Sequence, residues 1–249
     1  MNRLLVIAAF ASVLSNGQAI ADALSRHIIT GITPGWHDGR TDGFAADVMR
    51  DFQTYSGERF DLDVLPLRRT IALYLDKQTD CLLGGDAKAI AAFKPMNGVY
   101  SLPFRSAGIV IYSLAGRREP IHNYDEARHV RLGLEAGFDF HVLLDRLPGL
   151  AQDATSAESQ VKKLRAGRID AYVGLFPPSN KYGAQVAYDP GFMLMQWTDT
   201  LHCKAEKNNE AFIQSFNAFL TEYEKRSALR QTYDKYFVPS TWINPLTAK

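Results

Sequence analysis

The chain has 249 residues, 46% hydrophobic and 22% charged, with a formal net charge of +1. This is globular composition, with length for one large domain or two small ones. No run of one charge sign stands out, which argues against a nucleic-acid surface or a polybasic membrane patch as the main function.

The first residues have the three-part layout of a secretory signal peptide. "MNR" carries a positive charge, "LLVIAAFASVL" is an apolar core of eleven, and "SNGQAIADA" is polar and rich in small residues. Ala19 and Ala21 satisfy the small-x-small rule, so a leader of residues 1–21 is predicted, with Ala21 and Ala23 as the second choice. A membrane anchor is the competing reading, but the apolar core falls short of the roughly 20 residues a span requires. Losing Arg3 with the leader brings the formal charge to zero. No later stretch is apolar enough to cross a bilayer, so no membrane insertion of the mature chain is expected. The two cysteines, Cys81 and Cys203, permit one disulfide in an exported protein or two buried thiols.

"HIITGI" at 27–32 reads as a strand ending in the Gly- and Asp-rich loop "TPGWHDGRTDG". "FAADVMRDFQTYSG" follows as a helix with Phe44, Val48 and Phe52 on one face and Gly57 as its stop. "FDLDVLPL" alternates as a strand does, "RRTIALYLDKQ" is helical, and "DCLLGG" is a buried strand. Alternation of this kind implies a parallel sheet flanked by helices. The plan recurs with "VRLGLEAG" as strand, "FDFHVLLDRL" and "SAESQVKKLRAG" as helices, and "RIDAYVG" as a strand ending at Gly174. The match of "LDKQTDCLLGG" to "LRAGRIDAYVG", about 90 residues apart, predicts two α/β lobes of similar plan. "SAGIVIYS" at 106–113 would cross between them and "TDTLHCKA" at 198–205 would return. Phe212, Phe216, Phe219 and Tyr223 form one stripe of a long core-facing helix, and "LRQTYDKYFVP" is a further helix closed by Pro239.

Signs of catalysis are missing. The six histidines show no metal-ligand spacing, and there is no GxSxG, phosphate loop or GxGxxG. No cofactor and no metal are expected.

Six stretches carry a resemblance: "DGFAADVMRDFQ", "LPLRRTIALYLDKQTDCLLGG", "YSLPFRSAGIVIYS", "VRLGLEAGFDFHVLLDRLPG", "VKKLRAGRIDAYVG" and "FIQSFNAFLTEYEKRSALRQTYDKYF". In this order they resemble the type II periplasmic solute-binding proteins of family 3, which serve ABC importers for polar amino acids. The resemblance implies a two-lobe α/β fold, each lobe a mostly parallel sheet with flanking helices, joined by a two-strand hinge. Lobe 1 would hold 24–112 and 200–249, and lobe 2 would hold 113–199. It also places the "DCLLGG" strand beside the returning strand, so Cys81 and Cys203 are expected close together. Ligand would lie in the cleft, beyond the carboxyl ends of the strands.

Amino-acid binders of that family clamp their ligand with an Arg, a hydroxyl and an Asp. Here Ala91 or Ala92, Phe138 with Asp139, and Leu175 stand in those places. The residues expected at the cleft are Trp36, His37, Arg68, Arg69, Asp86, Tyr112, Phe138, Asp139, Leu175 and Phe176. This aromatic and apolar set fits a ligand with a flat or greasy body, or a protein surface, better than a small zwitterion. The expected function is a monomeric, non-catalytic periplasmic binding protein that feeds a small molecule to an ABC permease or a sensor. The alternatives are an accessory protein of a periplasmic quinoprotein dehydrogenase and, ranked last, an enzyme using Asp86 or Asp139 as acid.

Overall fold

The computed structural model describes residues 25–39, 41–91, 97–135, 146, 147, 150 and 155–246. The predicted leader, the helix expected after Phe138 and Asp139, and Ala92 lie outside the described residues.

The first sheet is built from β1 (Arg26–Gly31), β2 (Phe60–Leu65), β3 (Cys81–Leu83), β4 (Gly98–Tyr100) and β10 (Leu201–Lys204). Its order is β2-β1-β3-β10-β4, with β1 parallel to β2 and β3, and β10 antiparallel to β3 and β4. Between the parallel strands run α1 (Phe44–Ser56) and α2 (Leu67–Leu75). Gly43 opens α1 at φ 131°, where a Cβ would lie 2.3 Å from the Trp36 carbonyl oxygen, so only glycine fits. Gly57 closes it in the left-handed region and donates its N–H to the Gln53 carbonyl. The expected stripe Phe212, Phe216 and Phe219 is buried on α6 (Lys207–Lys225). It meets Phe52 of α1, with ring centroids 5.5, 4.9 and 5.5 Å apart. The last helix, α7 (Ala228–Tyr236), adds Leu229 and Tyr233 to the same core.

The second sheet contains β5 (Arg105–Leu114), β6 (Leu132–Leu134), β7 (Ala171–Phe176), β8 (Val186–Ala187) and β9 (Met195–Asp199). Its order is β6-β7-β5-β8, and β9 pairs with the start of β5. The short α3 (Ala87–Ala91) belongs to the first lobe, and α4 (Tyr124–Arg128) and α5 (Ala157–Arg165) to the second. α5 covers the face of Tyr112, Tyr172 and Phe176, while Ile109, Leu134 and Val173 form a separate core on the other face.

Three expectations are corrected by this topology. The strand after Arg168 does not end at Gly174. It continues through Leu175 and Phe176 because β5 extends alongside and pairs Ile109 with Leu175 and Gly108 with Phe176. The expected crossing strand also belongs wholly to the second sheet, so the chain changes sheet before Arg105, not at 112–113. The return strand is in fact two strands, β9 in one sheet and β10 in the other, with Thr200 between them.

Cys203 and Cys81 face each other directly across the β10–β3 pair, with Cα atoms 4.0 Å apart, and are joined by a disulfide. The bond closes a loop with a sequence separation of 122. By the chain-entropy account, a loop of that size is worth up to about 5 kcal/mol. Cys203→Ser, or reduction of the native protein, is therefore expected to lower the unfolding free energy by about 2–5 kcal/mol in a denaturant melt. An unchanged midpoint would show that the pair is not bonded in solution.

Candidate functional site

The two sheets are joined where Phe104 enters β5 and where Asp199 leaves β9. These connections run antiparallel, with Arg105 opposite Asp199 and the Phe104 N–H donating to the Asp199 carbonyl at 3.0 Å. Arg105 Nε donates to Asp199 Oδ2 at 2.6 Å, and the two side chains are 9% and 4% exposed. The guanidinium lies 4.2 Å from the Trp36 ring centroid and 5.0 Å from that of Phe237. Asp199 Oδ1 accepts the Gly85 N–H at 2.8 Å and Trp197 Nε1–H at 3.2 Å. Two buried charges are tolerated here because the carboxylate accepts three N–H groups and the guanidinium is paired and stacked on aromatic rings.

The loop after β3 is sewn to the same crossing. Gly84 and Gly85 take φ values of +116° and +76°, a turn that aims the Gly85 N–H at Asp199. Asp86 Oδ1 accepts the Ala89 N–H at 2.8 Å and caps α3, while Oδ2 accepts the Thr198 N–H at 3.1 Å. Thr200 Oγ1 donates to the Gly85 carbonyl at 2.7 Å. A further link joins the lobes: the Asn180 N–H donates to the Tyr236 carbonyl at 2.9 Å, and Lys181 pairs with Asp38 at 3.1 Å.

In the second lobe the carboxyl ends of β6 and β7 lie side by side. Glu135, directly after β6, is 3% exposed, and its Oε2 accepts the Leu175 N–H at 3.0 Å. No cation faces it among the described residues. Burial pushes its carboxyl up to about 7, opposed only by the Leu175 N–H bond. Gly174 makes the slot: a Cβ there would lie 2.7 Å from Glu135 Oε2 and 2.6 Å from the Tyr172 ring. Tyr112 donates its hydroxyl to the Leu175 carbonyl at 2.7 Å, so both backbone groups of Leu175 are held by side chains. The Tyr172 hydroxyl is buried without a hydrogen-bond partner among the described residues.

Of the residues that the sequence assigns to the site, Trp36, His37, Tyr112 and Phe176 are interior. Trp36 belongs to the first core and donates Nε1–H to Thr30 Oγ1 at 2.9 Å. Burial lowers the His37 pKa. Tyr112 and Phe176 both pack into the tyrosine-rich core under α5. Arg68 and Arg69 are exposed at the start of α2, Asp86 is half-buried, and Leu175 is half-buried at the strand end. Phe138 and Asp139 lie outside the described residues. Sequence reasoning missed Arg105, Asp199 and Glu135. Only Glu135 has a local signal, as a lone acid between an apolar strand and a small-residue turn in "LGLEAG". Among the described residues no three His, Cys, Asp or Glu side chains gather as metal ligands, and no helix is long and apolar enough to cross a membrane.

Two outcomes follow from these buried charges. Asp199→Ala strands the Arg105 guanidinium between two rings, and a loss of about 3–5 kcal/mol is expected in a urea melt. A loss below about 1 kcal/mol would place the pair in solvent. Glu135 has a folded-state pKa raised from 4.5 to about 7. Its contribution is fully present below the unfolded value and is lost as pH rises through the folded one. At about 1.4 kcal/mol per pKa unit this amounts to about 3 kcal/mol. Melts near pH 5 and pH 8 should show that loss in the wild type and its absence in Glu135→Gln; equal pH slopes would refute the assignment.

No family model matches the chain, and no curated protein matches it. Solved structures do. The ligand-binding core of GluR0 from Nostoc punctiforme, in complex with L-glutamate, is 19% identical with a TM-score of 0.64, over 85% of this chain and 99% of that one. An ancestral amino acid-binding protein, a precursor of cyclohexadienyl dehydratase, is 17% identical with a TM-score of 0.64, over 86% and 95%. The arginine-, lysine- and histidine-binding protein ArtJ from Geobacillus stearothermophilus is 15% identical with a TM-score of 0.62, over 86% and 95%. With two sheets in this strand order, two crossings between them and these neighbours over nearly their whole lengths, the chain has the two-lobe α/β fold of the type II periplasmic solute-binding proteins.

Proposed function

We propose that this chain is a non-catalytic, monomeric solute-binding protein of the periplasm, exported by residues 1–21. In this reading it captures a small ligand between its lobes for an ABC importer or a membrane sensor, and the ligand is not a standard free amino acid. Lobe 1 comprises 25–104 and 200–246, lobe 2 comprises 105–199, and closure turns about the two crossings. The neighbours include proteins that bind amino acids, and this chain shares their fold.

The observation that carries the ligand reading is that the polar groups at the strand ends are already engaged within the protein. Asp199 is taken by Arg105, Gly85 and Trp197. Asp86 is taken by Ala89 and Thr198. Leu175 presents an apolar side chain, and Glu135 is buried behind it. A zwitterion closed between the lobes would leave its carboxylate and ammonium short of partners, at a cost of several kcal/mol. Ile32, 47% exposed just beyond β1, together with Leu175, offers apolar contact instead.

Calorimetry of the mature protein with each common amino acid is expected to give no binding at micromolar concentrations. A sub-micromolar Kd for any of them would overturn the reading of the ligand while leaving the solute-binding role in place.

A further inference from the structure

At the end of the second sheet away from the carboxyl ends of β6 and β7, the chain builds a second polar concavity. β5 ends there, β6 and β7 begin there, and α5 terminates over them. A cavity of about 290 Å³ opens between these elements. Its floor includes Leu114 and Leu164, and its rim carries Arg117, Arg118, Arg131 and Asp170.

The rim charges do not balance. Arg131 holds Asp170 in a fork, Nε to Oδ2 at 2.9 Å and Nη2 to Oδ1 at 3.0 Å. Arg118 shares the same carboxylate at 3.6 Å. Arg117 donates Nη1–H to the Arg165 carbonyl at 3.3 Å and meets no carboxylate among the described residues. The cavity is thus lined by three guanidiniums and one carboxylate, with two of the guanidiniums on that carboxylate. Asp170 stays ionised because the Arg131 fork holds its carboxyl down to about 2, and it offsets one guanidinium; since guanidiniums do not deprotonate, the remaining positive charge is unaffected by pH. The Arg131–Asp170 fork has a structural task, since it ties the start of β6 to the start of β7. Arg117 and Arg118 have no comparable task. They follow Gly116, whose φ of +72° turns the chain so that both side chains reach the cavity rim.

We propose that this cavity is an oxyanion-binding site, separate from the interlobe cleft, in which Arg117 and Arg118 take a phosphate-type anion. Guanidiniums fit phosphate oxygens with paired, charge-assisted N–H bonds, and the apolar floor admits a small organic body attached to the anion. The proposal does not depend on which ligand occupies the cleft.

Inorganic pyrophosphate is the probe, titrated into the mature protein at low ionic strength and followed by calorimetry and by the arginine Nε–H resonances. Saturable binding is expected, weakening as salt screens the exposed guanidiniums. It should fall at least tenfold in Arg117→Gln/Arg118→Gln, with the melting midpoint preserved because the Arg131–Asp170 fork remains. Should the double variant fail to fold, Arg117→Gln alone is expected to weaken binding severalfold. Sedimentation with phosphatidylglycerol vesicles distinguishes two sources of the same chemistry. Vesicle binding that is lost in the double variant assigns the oxyanion to a lipid headgroup. Pyrophosphate binding without vesicle binding assigns it to a free solute. No saturable response up to 10 mM pyrophosphate, or equal affinity in wild type and variant, overturns the site.

Discussion

The Arg105–Asp199 pair is the constraint on which the arrangement of the two lobes depends. Desolvating two charges is costly, and a single contact between them would not offset it. Here the carboxylate gains N–H donors from Gly85 and Trp197, and the guanidinium lies between the rings of Trp36 and Phe237. One carboxylate thus fastens both interlobe connections, the loop after β3 and the first core.

The second lobe treats its buried carboxyl in the opposite way. Among the described residues Glu135 has one N–H donor and no cation, and it is surrounded by an interior that contains Tyr112, Tyr172 and Tyr182. Its ionised form is therefore disfavoured. The residue it controls is Leu175, whose amide it receives while Tyr112 holds the carbonyl. The side chain at this strand end is set by the packing behind it. That is why an apolar residue there is compatible with a polar support, and why Gly174 is needed to admit the support.

Much of the fold was legible because it rests on local periodicity. The spacing of Phe44, Val48 and Phe52 and the positive-φ stop at Gly57 specify α1 without reference to anything else. The stripe Phe212, Phe216 and Phe219 specifies the buried face of α6 in the same way. The errors occur where pairing with a distant strand decides the outcome. Gly174 reads as a strand end, but β5 lies alongside and carries β7 on to Phe176. The short β4 and β8 have no pattern of their own and exist only through their partners β10 and β5.

The sequence by itself determined the alternation of strands and helices, the aromatic core of the first lobe and the apolar residue type at position 175, since these depend on residue type and short-range spacing. Tertiary structure alone decided which of the expected side chains are interior. Trp36, Tyr112 and Phe176 look like ligand contacts by their place in the chain, yet strand parity and ring packing turn them inward. Arg105 and Asp199 are 94 positions apart and belong to segments that read as plain strands. Their pairing follows from the antiparallel register of β5 and β9, and no local pattern encodes a register between strands so distant in sequence.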